Sequence, residues 1–83
     1  MAPVTVMIPD DTFATVRRAP DEVARETRVA IAVRWYEQRL VSQGKAAEIA
    51  GLSRAEFIDA LSDFGVSASQ ESIEALQEVM NRG

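Results

Sequence analysis

Eighty-three residues suffice for one domain, and a chain this short leaves roughly 40% of its unfolded surface exposed after folding, so a partner subunit is expected. With 47% hydrophobic and 27% charged residues it is too apolar for wholesale disorder, and the lack of cysteine and histidine excludes disulfides, thiolate chemistry, cysteine-ligated zinc and the usual proton shuttle. The net charge of −4, from 9 basic and 13 acidic residues, gives no global basic field of the kind that advertises nucleic-acid binding.

Val4, Val6 and Ile8 alternate with Thr5 and Met7 ahead of Pro9, the pattern of a short β-strand with one apolar face. Everything after it has helical periodicity, so the strand has no obvious partner in its own chain; the plain alternative is a segment laid on its own helices or frayed at the terminus. Unpaired strand edges invite another chain, and pairing of two copies across a twofold axis is the economical expectation. A single turn of helix is expected over residues 10–16. Pro20 then stands at a first helical position with Asp21 and Glu22 behind it, where carboxylates suit the positive end of the helix dipole.

The long helix that follows is expected to run over residues 20–41. Val29, Val33, Tyr36 and Leu40 form one apolar stripe, and Ala24, Thr27, Ile31 and Trp35 form a second beside it. Burial on more than one side follows. In so small a protein the excess points to a subunit interface, with Val29 and Val33 joining Val4, Val6 and Ile8 in it. Trp35 and Tyr36 are expected to pack in the core rather than to stack on bases.

Residues 43–62, QGKAAEIAGLSRAEFIDALS, carry the most specific punctuation in the chain. Gly51 sits one residue past a short helix, where left-handed backbone excludes most side chains. Ser53 caps the next helix, and Glu56 three residues later completes a capping box. Leu52 and Phe57 are placed for a hydrophobic staple, and Gly65 ends the second helix with Leu61 and Val66 placed for the apolar contact of a Schellman motif. Ala46, Ala47 and Ala50 keep the first helix thin enough for the second to cross it closely. This is the grammar of a helix-turn-helix.

A further capping box at residues 67–70 opens an amphipathic helix with Ile73, Leu76, Val79 and Met80 on one stripe and Glu71, Glu74 and Glu78 elsewhere. At about a dozen residues such a helix is marginal alone. It either docks on its own domain or awaits another protein.

Catalysis finds little support. Gly44-Lys45 imitates a phosphate-binding loop, but the required earlier glycine falls at Arg39 and Ala46 replaces the magnesium-binding hydroxyl. Asp59 and Asp63 are too few for a specific cation site, so no metal and no cofactor are expected. None of the serines has a histidine base, and the chain's single lysine is Lys45. The protein is expected not to be an enzyme.

DNA recognition by a helix-turn-helix places the N-terminal end of the second helix at base edges and the first helix against phosphate. On that geometry Gln43, Gly44 and Lys45 approach the backbone and Ser53, Arg54 and Ala55 open the recognition helix, with Arg54 as the guanine reader. Glu56, Asp59 and Asp63 oppose phosphate, so binding by the free protein should be weak and only shallowly salt-dependent. The plain alternative is a bihelical unit used only for packing.

The stretches VTVMIPDD, PDEVARETRVAIAVRWYEQRLVSQGKAAEIAGLSRAEFIDAL and GVS together resemble a small uncharacterised family of prokaryotic helix-turn-helix proteins grouped with type II antitoxins. The resemblance covers nearly the whole chain. It implies a neighbouring gene for a PIN-like ribonuclease toxin, which the antitoxin binds and inhibits, and an operon that the complex represses. The tail SASQESIEALQEVMNRG is less acidic and more helical than the family's. Within that scheme Ile73, Leu76, Val79, Met80 and Arg82 are the expected partner-binding residues, the arginine facing the carboxylates of the nuclease cleft.

The expected architecture is therefore mainly α, with a short N-terminal strand paired across a homodimer, a long central helix, a helix-turn-helix and a C-terminal amphipathic helix. Residues 1–66 form the dimerisation and DNA-binding domain, and residues 67–83 a helical tail. No apolar run reaches the roughly 18 residues of a membrane span, and the N-terminus has no secretory signature, so a cytoplasmic location is expected. Two rivals stand beside the antitoxin: a stand-alone transcriptional regulator, and a helical protein-interaction module that never touches DNA.

Overall fold

A computed structural model describes residues 2–68 of the chain. Among them the architecture is mainly helical, with α1 at Asp11–Val16, α2 at Pro20–Glu37, α3 at Gln43–Ala50 and α4 at Arg54–Asp63. The expected C-terminal helix, with Ile73, Leu76, Val79, Met80 and Arg82, lies outside the described residues.

Each helix starts and stops for an identifiable local reason. Pro20 occupies the first position of α2, and the Ala19 N–H donates to Glu22 Oε1 at 3.1 Å. Ser42 caps α3 by accepting from the Lys45 N–H at 3.1 Å. Ser53 and Glu56 form the full capping box of α4: the Glu56 N–H donates to Ser53 Oγ at 3.1 Å, and the Ser53 N–H to Glu56 Oε1 at 2.9 Å. Such caps satisfy amides that the helix leaves without partners, each contributing about 1 kcal/mol.

The four C-terminal ends share one device, a residue with positive φ: Arg17, Arg39, Gly51 and Gly65. At α3 the Leu52 N–H reaches Ala47 O at 2.9 Å and the Gly51 N–H reaches Glu48 O at 3.1 Å. At α4 the Val66 N–H reaches Leu61 O at 2.8 Å and the Gly65 N–H reaches Ser62 O at 3.0 Å. Both are Schellman motifs. The same pair of bonds closes α2, from Leu40 to Trp35 and from Arg39 to Tyr36, each at 3.0 Å.

That closure corrects the expected length of α2, which stops at Glu37 rather than at Val41. No glycine or proline announces the stop. Arg39 makes it by adopting φ +60, a conformation costly for a side chain with a Cβ. Replacing Arg39 by Gly should accordingly raise stability by about 0.5–1 kcal/mol, read as an upward shift of the denaturant midpoint with an unchanged slope.

The core is built where α3 and α4 fold back over the second half of α2. Ala32, Val33 and Tyr36 come from α2, Ala46, Ala47 and Ala50 from α3, and Phe57 and Leu61 from α4. The Tyr36 and Phe57 rings meet edge-on, centroids 5.8 Å apart at 86°. The alanine face of α3 brings the flanking helices close, and Leu52 and Val66 pack against the edge of the cluster. Val33 is only 1% exposed: its place is the chain's own core, which corrects its expected place in a subunit interface. Val29 is half-buried against the same cluster. The apolar excess of α2 is thus absorbed partly by its own chain.

Residues 2–9 form no strand among the described residues. A strand needs a ladder, and every regular element described is a helix. Val4 and Val6 stand 84% and 61% exposed. Together with Ile8, they border an open groove of about 1070 Å³ whose opposite wall includes Val23, Ile31 and Trp35. Trp35 therefore departs from the expected core position, whereas Tyr36 is buried in it. No helix among the described residues is long and apolar enough to cross a membrane.

Candidate nucleic-acid interface

The two short helices α3 and α4 are separated by residues 51–53 alone. Gly51, at φ +72, turns the chain between them. The C-terminal end of α3 is also held from outside: Arg28 of α2 donates from Nε to Ile49 O at 3.0 Å. Its guanidinium lies 3.2–3.3 Å from the point a Cβ on Gly51 would occupy. The left-handed backbone favours glycine here, and a Cβ would in addition require the arginine to shift by a few tenths of an ångström.

With α4 buried on its Phe57 and Leu61 side, helical periodicity sends Ala55, Ile58, Asp59 and Ser62 outward, and all four are exposed. Arg54 sits on the flank that borders α3. There its Nη2 donates to Gln43 Oε1 at 2.7 Å. Gln43 is 1% exposed. This corrects the expectation that the Gln43 side chain approaches phosphate: it is turned into the α3–α4 junction, where its partner is the expected guanine reader.

Gly44 and Lys45 are exposed at the start of α3, and Ser53, Arg54 and Ala55 at the start of α4. Lys45 Nζ lies 3.4 Å from Glu48 Oε2, a solvent-exposed pair one turn along the helix that partly offsets the cation. Asp59 and Asp63 are exposed on α4. Two cations therefore share the unit with Glu48, Glu56, Asp59 and Asp63, and the face is not a basic one. Among the described residues no group of three carboxylate, histidine or cysteine side chains could hold a metal.

Glu56 differs electrostatically from the other acids. The Ser53 backbone N–H, and then the Ser53 side chain, hold its carboxyl below the ordinary glutamate value, against a smaller opposing effect of desolvation. A depressed folded-state value means that the cap contributes fully above the ordinary glutamate range and is lost as pH falls through the lowered value. Circular dichroism melts across the acid range should show this loss, and Glu56→Gln should flatten that part of the profile.

The sequence matches the model of the uncharacterised protein family UPF0175 over residues 1–81. The chain belongs to UPF0175. A UPF0175 protein of Halobacterium salinarum is 43% identical over 60 residues, 69% of this chain and 61% of the relative's length. A UPF0175 protein of Aeropyrum pernix is 33% identical over 69 residues, 81% of this chain and 78% of that relative. The chain thus spans about three fifths of the Halobacterium protein. No solved structure matches it.

Sequence reasoning missed two features of this UPF0175 site. Ser42 is the cap of α3, but with Lys45 rather than Glu or Gln three residues on it lacks the capping-box signature. The Gln43–Arg54 bond joins residues 11 apart through the turn, and no periodicity marks it.

Proposed function

We propose that this UPF0175 chain is the antitoxin of a type II toxin–antitoxin system, which binds and inhibits a PIN-like ribonuclease toxin and represses its own operon through a helix-turn-helix formed by α3 and α4. The observation that carries the reading is the bihelical unit itself: two capped helices around Gly51, with Arg54 exposed at the start of the second. The resemblance of SQGKAAEIAGLSRAEF to antitoxin sequences supports the same reading. The active species is a cytoplasmic homodimer in which Val4, Val6 and Ile8 pair as strands across the twofold axis. Exposure of Val4 and Val6 beside an apolar groove supports that pairing.

The DNA contacts assigned are Gly44 and Lys45 to phosphate and Ser53, Arg54 and Ala55 to base edges. The toxin contacts assigned are Ile73, Leu76, Val79, Met80 and Arg82. The protein itself performs no catalysis and carries no cofactor. Four opposing carboxylates keep DNA binding by the dimer alone weak, and toxin strengthens it by linking dimers, so that the second contact is made at high effective concentration.

Co-expression with the product of the adjacent gene decides the matter. A stable complex that inhibits RNA cleavage and binds the operon's promoter more tightly than the chain alone supports the proposal. If the chain binds that promoter tightly and neither captures nor inhibits the neighbouring product, it is a stand-alone regulator instead. Arg54→Ala should weaken promoter binding by about 1–3 kcal/mol, measured by fluorescence anisotropy at fixed salt. The exposed acids of α4 favour one rival, a protein-interaction module, and for it Arg54→Ala leaves every binding partner's affinity unchanged.

A further inference from the structure

We infer that Gln43 is a specificity-positioning residue: a buried amide that holds the Arg54 guanidinium in the orientation from which it discriminates guanine, an inference that rests on the helix-turn-helix reading above. Arg54 is the first residue of α4, where the positive end of the helix dipole disfavours a cation. It takes part in none of the ion pairs among the described residues. Its placement therefore serves neither the helix nor a carboxylate. Its described partner is Gln43 Oε1, at 2.7 Å.

Gln43 is suited to fix direction. At 1% exposure its side chain is held by the packing around it, so its acceptor does not wander as a surface amide's would. A guanidinium carries five N–H donors in a planar fork. The amide takes one hydrogen of Nη2. If that hydrogen faces Nε, the Nη1 and Nη2 edge remains for a bidentate pair; if it faces Nη1, the Nε and Nη2 edge remains. Either way the range of positions open to the fork is narrowed before DNA arrives and one two-donor edge is left for the O6 and N7 of guanine. An untethered arginine would sample many rotamers and pay their entropy on binding.

The test uses the full chain, with duplexes selected from a pool having a randomised centre to define the preferred site, then single-base variants of that site. Wild type should prefer guanine at one position per half-site by roughly 5- to 100-fold, and Arg54→Ala should abolish that preference. Gln43→Met keeps an unbranched side chain of similar volume but removes the acceptor. It should cut the guanine preference at least about fivefold while the salt dependence stays the same, because the arginine charge is still present. Gln43→Glu restores an acceptor and should retain the preference, with uniformly weaker binding from the added negative charge.

A purely structural role for Gln43 lowers the melting temperature and weakens all duplexes equally with the preference intact; that result for Gln43→Met overturns the inference. Loss of preference in a folded Gln43→Glu overturns it as well, and keeps the test decisive should Gln43→Met fail to fold. If wild type itself shows no base preference, the DNA-binding reading falls and this one with it. A wild type whose preference depends on Arg54 but not on Gln43 removes this inference alone.

Discussion

Phe57→Ala should abolish cooperative folding of the free chain. Phe57 has no exposed surface and is the largest fully buried side chain among the described residues, its ring abutting Tyr36 between α2 and α4. Truncating a buried phenylalanine costs about 3–5 kcal/mol. The rest of the buried cluster consists of four alanines, Val33, Leu61 and Tyr36, so filling the gap would mean pulling in side chains from the edge of the cluster. A domain of this size has total stability of the same order. Thermal melts followed by circular dichroism should show a broad, low-amplitude transition in the variant. A sharp transition shifted by only a few degrees would mean that the core is not centred on this ring.

The second large effect is expected at Gly51 and is best measured against Gly65. The two have the same φ of +72, but no heavy atom lies within 4 Å of the place for a Cβ at Gly65, whereas the Arg28 guanidinium lies 3.2–3.3 Å from it at Gly51. Gly65→Ala should therefore cost only the left-handed strain, about 1–2 kcal/mol. Gly51→Ala should cost more, about 2–3 kcal/mol, because the arginine must also shift against its bond to Ile49 O. In an Arg28→Ala background the two glycine substitutions should cost the same. A double-mutant cycle on urea midpoints reads the difference directly. Equal costs in the wild-type background would show that Arg28 moves aside freely.

The middle of the chain was legible in the sequence because its signals are local. Gly51, Ser53, Glu56 and Gly65 each act within a few residues, and the turn, the capping box and the Schellman closure stand where those residues predict. The end of α2 was not legible: Arg39 takes a left-handed conformation that composition assigns to glycine or asparagine, and the periodicity of Leu40 and Val41 continued past it. Val33 illustrates a second limit. An apolar stripe says that a face is buried but not by which chain, and α3 with α4 cover the position that the sequence assigns to a dimer. At Gln43 a polar residue opening a helix reads as solvent-facing, and only the fold brings Arg54 to it. The alternation of residues 4–8 specifies an extended segment, but a ladder requires a partner that the helices do not provide.

Val4, Val6 and Met7 stand in solvent beside the α2 groove, and on the proposed pairing this makes assembly and folding one equilibrium. Part of what keeps each copy intact then comes from its mate, and dilution alone lowers the temperature at which the chain melts. A cell that stopped synthesising the protein would lose more than copies: as its concentration fell, every surviving molecule would also become easier to unfold and degrade.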